Sequence, residues 1–294
     1  FVNICDRLRA HGLNTGNARV VIEKPIGHDS ASAAVSASVT ALCGRHPDGA
    51  APPVRLLPAR VDGATLPRSA VPATQVAIGI EESELVPVTI DFENFPHLIV
   101  LGDSGCGKTA VLRTLCARLA RDCSPEQVQL YIGDARRTLL GAVHTAHLAG
   151  YAISAAILAA QLPALVDILR ARMPDAGVTQ RQLRDRSWWS GPEIYVVVDD
   201  HELLSGTGDP LAPLLEFLPY ARDVGLHLVV ARRAGGAARA LFNPVLATMR
   251  ELGCAALMMS TSADEGVLFG STRPVVLPPG RATLIRRGHP DERI

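Results

Sequence analysis

The residues with the clearest chemistry lie between Gly102 and Thr109, where the spacing G-x-x-x-x-G-K-T sets three glycines, a lysine and a threonine in one loop. Gly102, Gly105 and Gly107 have no Cβ, so the backbone can curl and turn successive N–H groups toward an anion. The helix that should follow adds partial positive charge at its N-terminus. Asp103, Ser104 and Cys106 contribute mainly backbone N–H to such a cradle. Lys108 is suited to the β- and γ-phosphates of a nucleotide, and the Thr109 hydroxyl to Mg²⁺. The chain has only two lysines, Lys24 and Lys108, and is otherwise basic through arginine. A lysine at this one point suggests a required compact ammonium.

A phosphate loop needs an acid at the end of another strand to hold Mg²⁺ through water. The run Glu193 to Asp200 ends in two carboxylates after an apolar stretch. Asp199 is the metal-side acid. Asp200 stands where a longer Glu usually activates the attacking water, and it reads either as a shortened catalytic acid or as a turn residue after a strand. A reacting group misplaced by ~1 Å can lose about 100-fold in rate. Arg232 and Arg233 end a later apolar run, where either could touch phosphate, reach a neighbouring subunit or stand as a surface arginine.

The elements that must position these residues follow from apolar runs and their punctuation. Short buried-type runs at Leu98 to Leu101, Val128 to Ile132, Ile194 to Val198, Leu226 to Val230 and Ala256 to Met259 predict strands. Helical spacing follows the phosphate loop through Val111, Leu112, Leu115, Cys116 and Leu119. Further helices are expected over 151–172, interrupted at Pro163, and at Leu211 to Tyr220 and Pro244 to Leu252. Alternation of this kind implies an α/β fold with a mainly parallel central sheet flanked by helices. Val76 to Ile80 and Val86 to Phe92 read as two strands about an acidic turn, and 280–287 as a final strand closing one edge of the sheet. Trp188 and Trp189 read as interdomain or core packing, or as a docking pair.

Residues 1–75 read as an N-terminal extension and linker. A helix is expected at Val2 to Ala10, a strand at Arg19 to Glu23, a helix over 29–43 and a strand-like piece at Val54 to Leu57, within a proline-rich tract. The domain proper is then 76–294. The chain of 294 residues starts at Phe1 rather than Met and reads as part of something longer. Its 29 basic and 29 acidic residues balance, which gives no global attraction to nucleic acid. Six cysteines without a C-x-x-C pair fit a reducing compartment, and no apolar run approaches the ~20 residues of a membrane span.

With both halves of the nucleotide site in view, the chain resembles the FtsK/SpoIIIE-type ATPases, and among them the EccC-type ATPases of type VII (ESX) secretion. The likeness is carried by residues 51–58, Ile78 to Ile80, the phosphate loop, Val198 to Asp200, Gly225 to Leu228 and Pro278 to Leu284. The tract Cys254 to Gly270 looks like the last ATPase module of that family. The resemblance implies a RecA-like P-loop fold that uses ATP and Mg²⁺. It also implies sister ATPase modules as partners, small helical secreted proteins recognised through a C-terminal signal, and a membrane secretion complex at the cytoplasmic face of the inner membrane. Two departures stand out from DNA-pumping members: Asp200 for Glu, and Arg232-Arg233 for Thr-Gln. They point to weak or absent hydrolysis and a role in substrate engagement or regulation. The competing reading is a DNA-translocating motor of the same fold. A small-molecule kinase or an ABC-type ATPase lacks support, because no acceptor lid and no L-S-G-G-Q signature can be found.

Overall fold

Five runs of apolar residues are buried on both faces, and this makes them the centre of one sheet. The computed structural model describes residue 41, residues 56–58, 60–68, 74–206 and 208–294. Leu57–Ile294 forms one compact unit. The expected helix at Val2 to Ala10, the strand at Arg19 to Glu23 and all of the helix over 29–43 except Ala41 lie outside the described residues. Of the strand-like piece at Val54 to Leu57, Leu56 and Leu57 are described, and neither is in a strand.

The main sheet has eight strands: β3 (Leu98–Gly102), β4 (Val128–Asp134), β5 (Leu148–Ala152), β6 (Glu193–Asp199), β7 (Leu226–Arg233), β8 (Ala255–Met259), β9 (Ala282–Ile285) and β10 (Glu292–Arg293). Their spatial order is β10-β9-β8-β3-β7-β6-β4-β5. The pairs from β8 through β5 are parallel, while the pairs β8–β9 and β9–β10 are antiparallel. β1 (Gln75–Ile80) and β2 (Pro87–Asp91) form a separate antiparallel ribbon.

Alternate side chains along each central strand feed two cores. Ile99, Leu101, Val196, Val198, Leu228 and Val230 face the helices Ala155–Arg172 and Pro244–Glu251. Leu98, Val100, Tyr195, Val197, Val229 and Ala231 face the helix Lys108–Asp122 and the β1/β2 ribbon. Both cores leave the carboxyl ends of the parallel strands free to carry loops, the usual place for a ligand in such sheets.

Four expectations are corrected. The helix expected over 151–172 begins at Ala155, because Leu148–Ala152 is a strand at the sheet's edge. Pro163 lies inside an unbroken helix. An internal proline costs about 3 kcal/mol, but Leu158, Leu162, Leu165 and Leu169 are fully buried on both sides of it, each worth ~1.5–3 kcal/mol. The segment Ala212–Tyr220 is a 3-10 helix, with Pro219 inside it, that runs into a short α-helix at Ala221–Val224. Finally, β9 does not close the edge, since the two-residue β10 pairs outside it.

The tryptophans pack rather than project. The Trp188 indole donates to Arg172 O and the Trp189 indole to Asp223 O, both at 2.7 Å. The Arg172 guanidinium lies over the Trp189 ring at 4.1 Å.

Candidate functional site

β3 ends at Gly102, and the chain turns at Gly105 (φ 77°) and Gly107 (φ 114°) into the helix Lys108–Asp122. Only glycine adopts the second of these angles without strain. The loop is tied to its surroundings by its own backbone. Asp103 N–H donates to Ser260 O at 2.9 Å, Ala234 N–H to Gly102 O at 3.1 Å and Gly280 N–H to Cys106 O at 2.9 Å. The carboxyl ends of β7 and β8 and the turn before β9 therefore hold it from three sides. Ser104 and Gly105 are exposed at its tip. Cys106 is buried, with Sγ 3.8 Å from Met259 Sδ, so its side chain serves packing.

Lys108 is buried, and its ammonium donates to Gly102 O and Asp103 O, each at 2.9 Å. Both carbonyls belong to the loop itself, so the charge sits over the cradle. No acidic residue of the helix itself occupies its first turn, so the negative charge at this end comes from outside the helix.

The two halves of the site meet directly. Thr109 Oγ1 donates to Asp199 Oδ2 at 2.6 Å, although β7 separates β3 from β6 in the sheet. Asp199 Oδ1 accepts the Asp200 N–H at 3.0 Å. Burial raises the Asp199 carboxyl above the usual carboxylate range; the Thr109 hydroxyl opposes this, the Asp200 charge adds to it, and the Thr138 hydroxyl opposes it again. A divalent cation would remove that destabilisation. A hydroxyl and a carboxylate are hard oxygen donors, the kind Mg²⁺ takes while retaining waters and phosphate oxygens. Among the described residues no three His, Cys, Asp or Glu side chains converge on a metal position by themselves. The site therefore fits a metal that arrives with phosphate. Thr109 and Asp199 would hold it, and its chemistry would be to neutralise phosphate charge.

Asp200 is placed differently. Its backbone is left-handed, with φ 46° and ψ 53°, at the start of the short helix His201–Leu204. Its carboxylate forms an ion pair with Arg136 Nε at 2.9 Å. Arg232 and Arg233 end β7 in register with Leu101 and Gly102 of β3. The Arg232 guanidinium is largely buried beside the loop; burial favours its neutral form, and the Glu202 charge opposes this. The Arg233 side chain is exposed, and its backbone N–H donates to both Glu202 carboxylate oxygens at 3.2 and 3.3 Å.

Three residues near the acid pair escaped the sequence reading: Arg136, Thr138 and Glu202. Thr138 Oγ1 lies 3.1 Å from Asp199 Oδ2. The one legible signal was an Asp closing an apolar strand with a Thr four positions on, the pattern of a side-chain-capped turn.

A model of the glucose-6-phosphate dehydrogenase NAD-binding domain matches residues 1–43, which do not overlap the site. The chain is 55% identical to the ESX-4 secretion system protein EccC4 of Mycobacterium tuberculosis, over 86% of this chain and 21% of that protein. It is 43% identical to the ESX secretion system protein EccC of Thermomonospora curvata, over 81% of this chain and 18% of that protein. It thus spans about a fifth of these relatives. The solved cytoplasmic domain of the Thermomonospora curvata type VII secretion ATPase EccC superposes with a TM-score of 0.82 at 38% identity, covering 93% of this chain and 32% of that one. A second structure, of ATPases 2 and 3 of the same EccC in complex with a signal sequence peptide, gives 0.80 at 38% identity, over 94% and 50% of the two chains. The FtsK/SpoIIIE family model matches residues 67–274, the stretch that holds the phosphate loop, both acids and both arginines, and the chain belongs to that family.

Proposed function

We propose that this chain is an ATP-binding module of an ESX-type secretion motor, one that holds Mg-ATP and turns it over slowly. The observation that carries the reading is the 2.6 Å contact between Thr109 and Asp199. It sets the metal-side hydroxyl and acid together at the mouth of the phosphate loop. In this reading Gly102 to Lys108 cradle the phosphates, Thr109 and Asp199 serve Mg²⁺, and Arg232 lies within the same neighbourhood. Slow turnover is supported by Asp200, whose short carboxylate is engaged by Arg136.

The similarity to EccC modules supports sister ATPase modules and a membrane secretion complex as partners, on the cytoplasmic side. No described helix is long and apolar enough to cross a membrane. An EccC structure holds a signal sequence peptide, and small helical secreted proteins bearing such a C-terminal signal are the proposed substrates. Bound nucleotide then favours whichever module arrangement binds it better, and a substrate signal favouring another arrangement is coupled to it.

The test combines mass spectrometry of nucleotide extracted from the purified chain with titration of Mg-ATP and a steady-state hydrolysis assay. Lys108→Ala is expected to weaken ATP binding roughly 10- to 100-fold, the worth of a charge-assisted hydrogen bond. Unchanged affinity in that variant would remove the phosphate loop from the account. Tight, steeply salt-dependent binding of duplex DNA would favour a DNA motor instead.

A further inference from the structure

Asp199 Oδ2 accepts from two hydroxyls on different elements. Thr109 comes from the phosphate-binding helix at 2.6 Å, and Thr138 from the connection between β4 and β5 at 3.1 Å. A hydroxyl has one proton to give, and Thr138 Oγ1 also lies 3.3 Å from Asp134 Oδ1. Asp134 is already supplied. It accepts the Thr138 N–H at 3.1 Å, the Leu139 N–H and the Tyr151 hydroxyl at 2.7 Å. The proton is therefore needed at Asp199, which is also the shorter contact.

The Thr138 backbone is fixed from the opposite side. Arg113, on the phosphate-binding helix, donates through Nε to Thr138 O at 3.1 Å and through Nη2 to Leu140 O at 3.0 Å. Thr138 thus stands between two anchors, the carboxylate that ends β4 and an arginine one turn into the helix that starts at Lys108. β4 lies directly beside β6, with Asp134 in register with Asp199. That pairing brings the anchor and the metal-side acid to the same level of the sheet.

We propose that Thr138 is a positioning residue for the metal-nucleotide complex, holding the Asp199 carboxylate in the orientation that meets Mg²⁺. The proposal rests on the reading of the site as one for Mg-ATP. Two hydroxyls on Oδ2 and one backbone N–H on Oδ1 leave the carboxylate no free rotation. The metal, with its bound waters, would then meet a preset carboxylate rather than one that must be ordered on binding. Outer partners of metal ligands are typically worth 10- to 100-fold in metal affinity.

The experiment measures the affinity of the 294-residue chain for a fluorescent ATP analogue, once with excess Mg²⁺ and once with EDTA. The readout is the ratio of the two affinities. Thr138→Val keeps the side chain's shape and removes the hydroxyl, and Thr138→Ser keeps the hydroxyl. The expected result is that Thr138→Val lowers the Mg²⁺-dependent gain roughly 10-fold, leaves binding in EDTA unchanged, and is rescued by Thr138→Ser. Arg113→Gln, a change at a partly exposed side chain, should lower the same ratio less. It provides the reading if Thr138→Val fails to fold. An undiminished ratio in the folded variants overturns the proposal while leaving ATP binding intact, as does an equal loss with and without Mg²⁺. If the unmodified chain binds no nucleotide, the Mg-ATP reading falls and this proposal falls with it.

Discussion

Arg136 Nε stands 2.9 Å from Asp200 Oδ2, so the carboxylate nearest the place of a hydrolytic base is already engaged by a cation. The arginine is half exposed, and such a pair is worth at most about 1 kcal/mol. Its consequence is geometric: it engages a side chain, already one methylene short, that would otherwise be free to take a proton from the attacking water. Asp200→Asn is therefore expected to leave steady-state ATP turnover nearly unchanged, and Asp200→Glu to raise it by restoring reach. If the unmodified chain turns over at motor-like rates, on the order of 10 s⁻¹, and Asp200→Asn abolishes this, Asp200 is a working base and slow turnover is refuted.

The first glycine of the loop is fixed by neighbours rather than by backbone angle. A Cβ built on Gly102 would lie 2.5 Å from Cys106 Sγ and 2.8 Å from Met259 Cβ. The Met259 Cβ cannot retreat, since Met259 ends a central strand, and the Cys106 Sγ is packed against the Met259 side chain. Gly102→Ala should thus destabilise the chain by roughly 1–3 kcal/mol, the range for overpacking, and disturb the cradle. Thermal unfolding together with ATP titration checks both. A variant as stable as the parent that also binds ATP as well would show the loop to be softer than its packing implies.

Central elements were legible where burial is two-sided. Leu98 to Leu101 and Ile194 to Val198 are uninterrupted apolar runs, and their ends carry Thr109 and Asp199 to one point. β5 was not legible, because Leu148, Ala149, Gly150, Tyr151 and Ala152 lie at the sheet's edge, where Leu148, Gly150 and Tyr151 are half-covered, Ala149 is exposed and Ala152 is buried, with no alternation. Pro163 misled for a similar reason: local chemistry breaks a helix, yet the buried leucines around it outweigh that break. Thr138 and Arg136 were hidden more deeply. Their nearness to Asp199 and Asp200 depends on β4 lying beside β6, a fact of strand order that no local spacing encodes.

His97 should give the fold a pH dependence of readable sign. It is fully buried before β3, accepts the Leu228 N–H through Nδ1 at 3.1 Å, and faces Leu218 O through Nε2. Burial, and secondarily the nearby His227 charge, lower its pKa from 6.5 to about 3. Between those values the unfolded chain holds a proton that the folded chain refuses. Stability from this group is therefore complete above pH 6.5 and is lost as pH falls toward 3. Going from pH 7 to pH 5 should remove on the order of 2 kcal/mol. Denaturant unfolding at the two pH values should show a smaller difference in His97→Gln than in the parent. An equal difference in both would assign the slope to other groups.

The segment before β1 is held by arginines, and this can be tested by cutting it. Arg118, buried on the helix Lys108–Asp122, donates through Nη1 to Gly63 O at 2.9 Å and through Nη2 to Pro67 O. Arg281 reaches Pro58 O at 3.2 Å, one residue from the Gly280 N–H that bonds Cys106 O in the phosphate loop. The described residues of 57–68 have one short 3-10 turn, Gly63–Thr65, and bury Leu66. Side-chain bonds to backbone carbonyls thus do much of the fastening. Arg118→Ala leaves Arg121 to pair with Asp122 at 2.7 Å, so the helix should persist while the strap loosens. The expected result is faster proteolytic cleavage within 57–68 and a loss of about 1–3 kcal/mol, as for removing a buried charged hydrogen-bonding partner. Arg118→Lys should rescue this only partly, because one ammonium cannot span both carbonyls as the fork does. Cleavage at the parent rate in Arg118→Ala would mean that Leu66, Arg121 and Arg281 hold the strap without it.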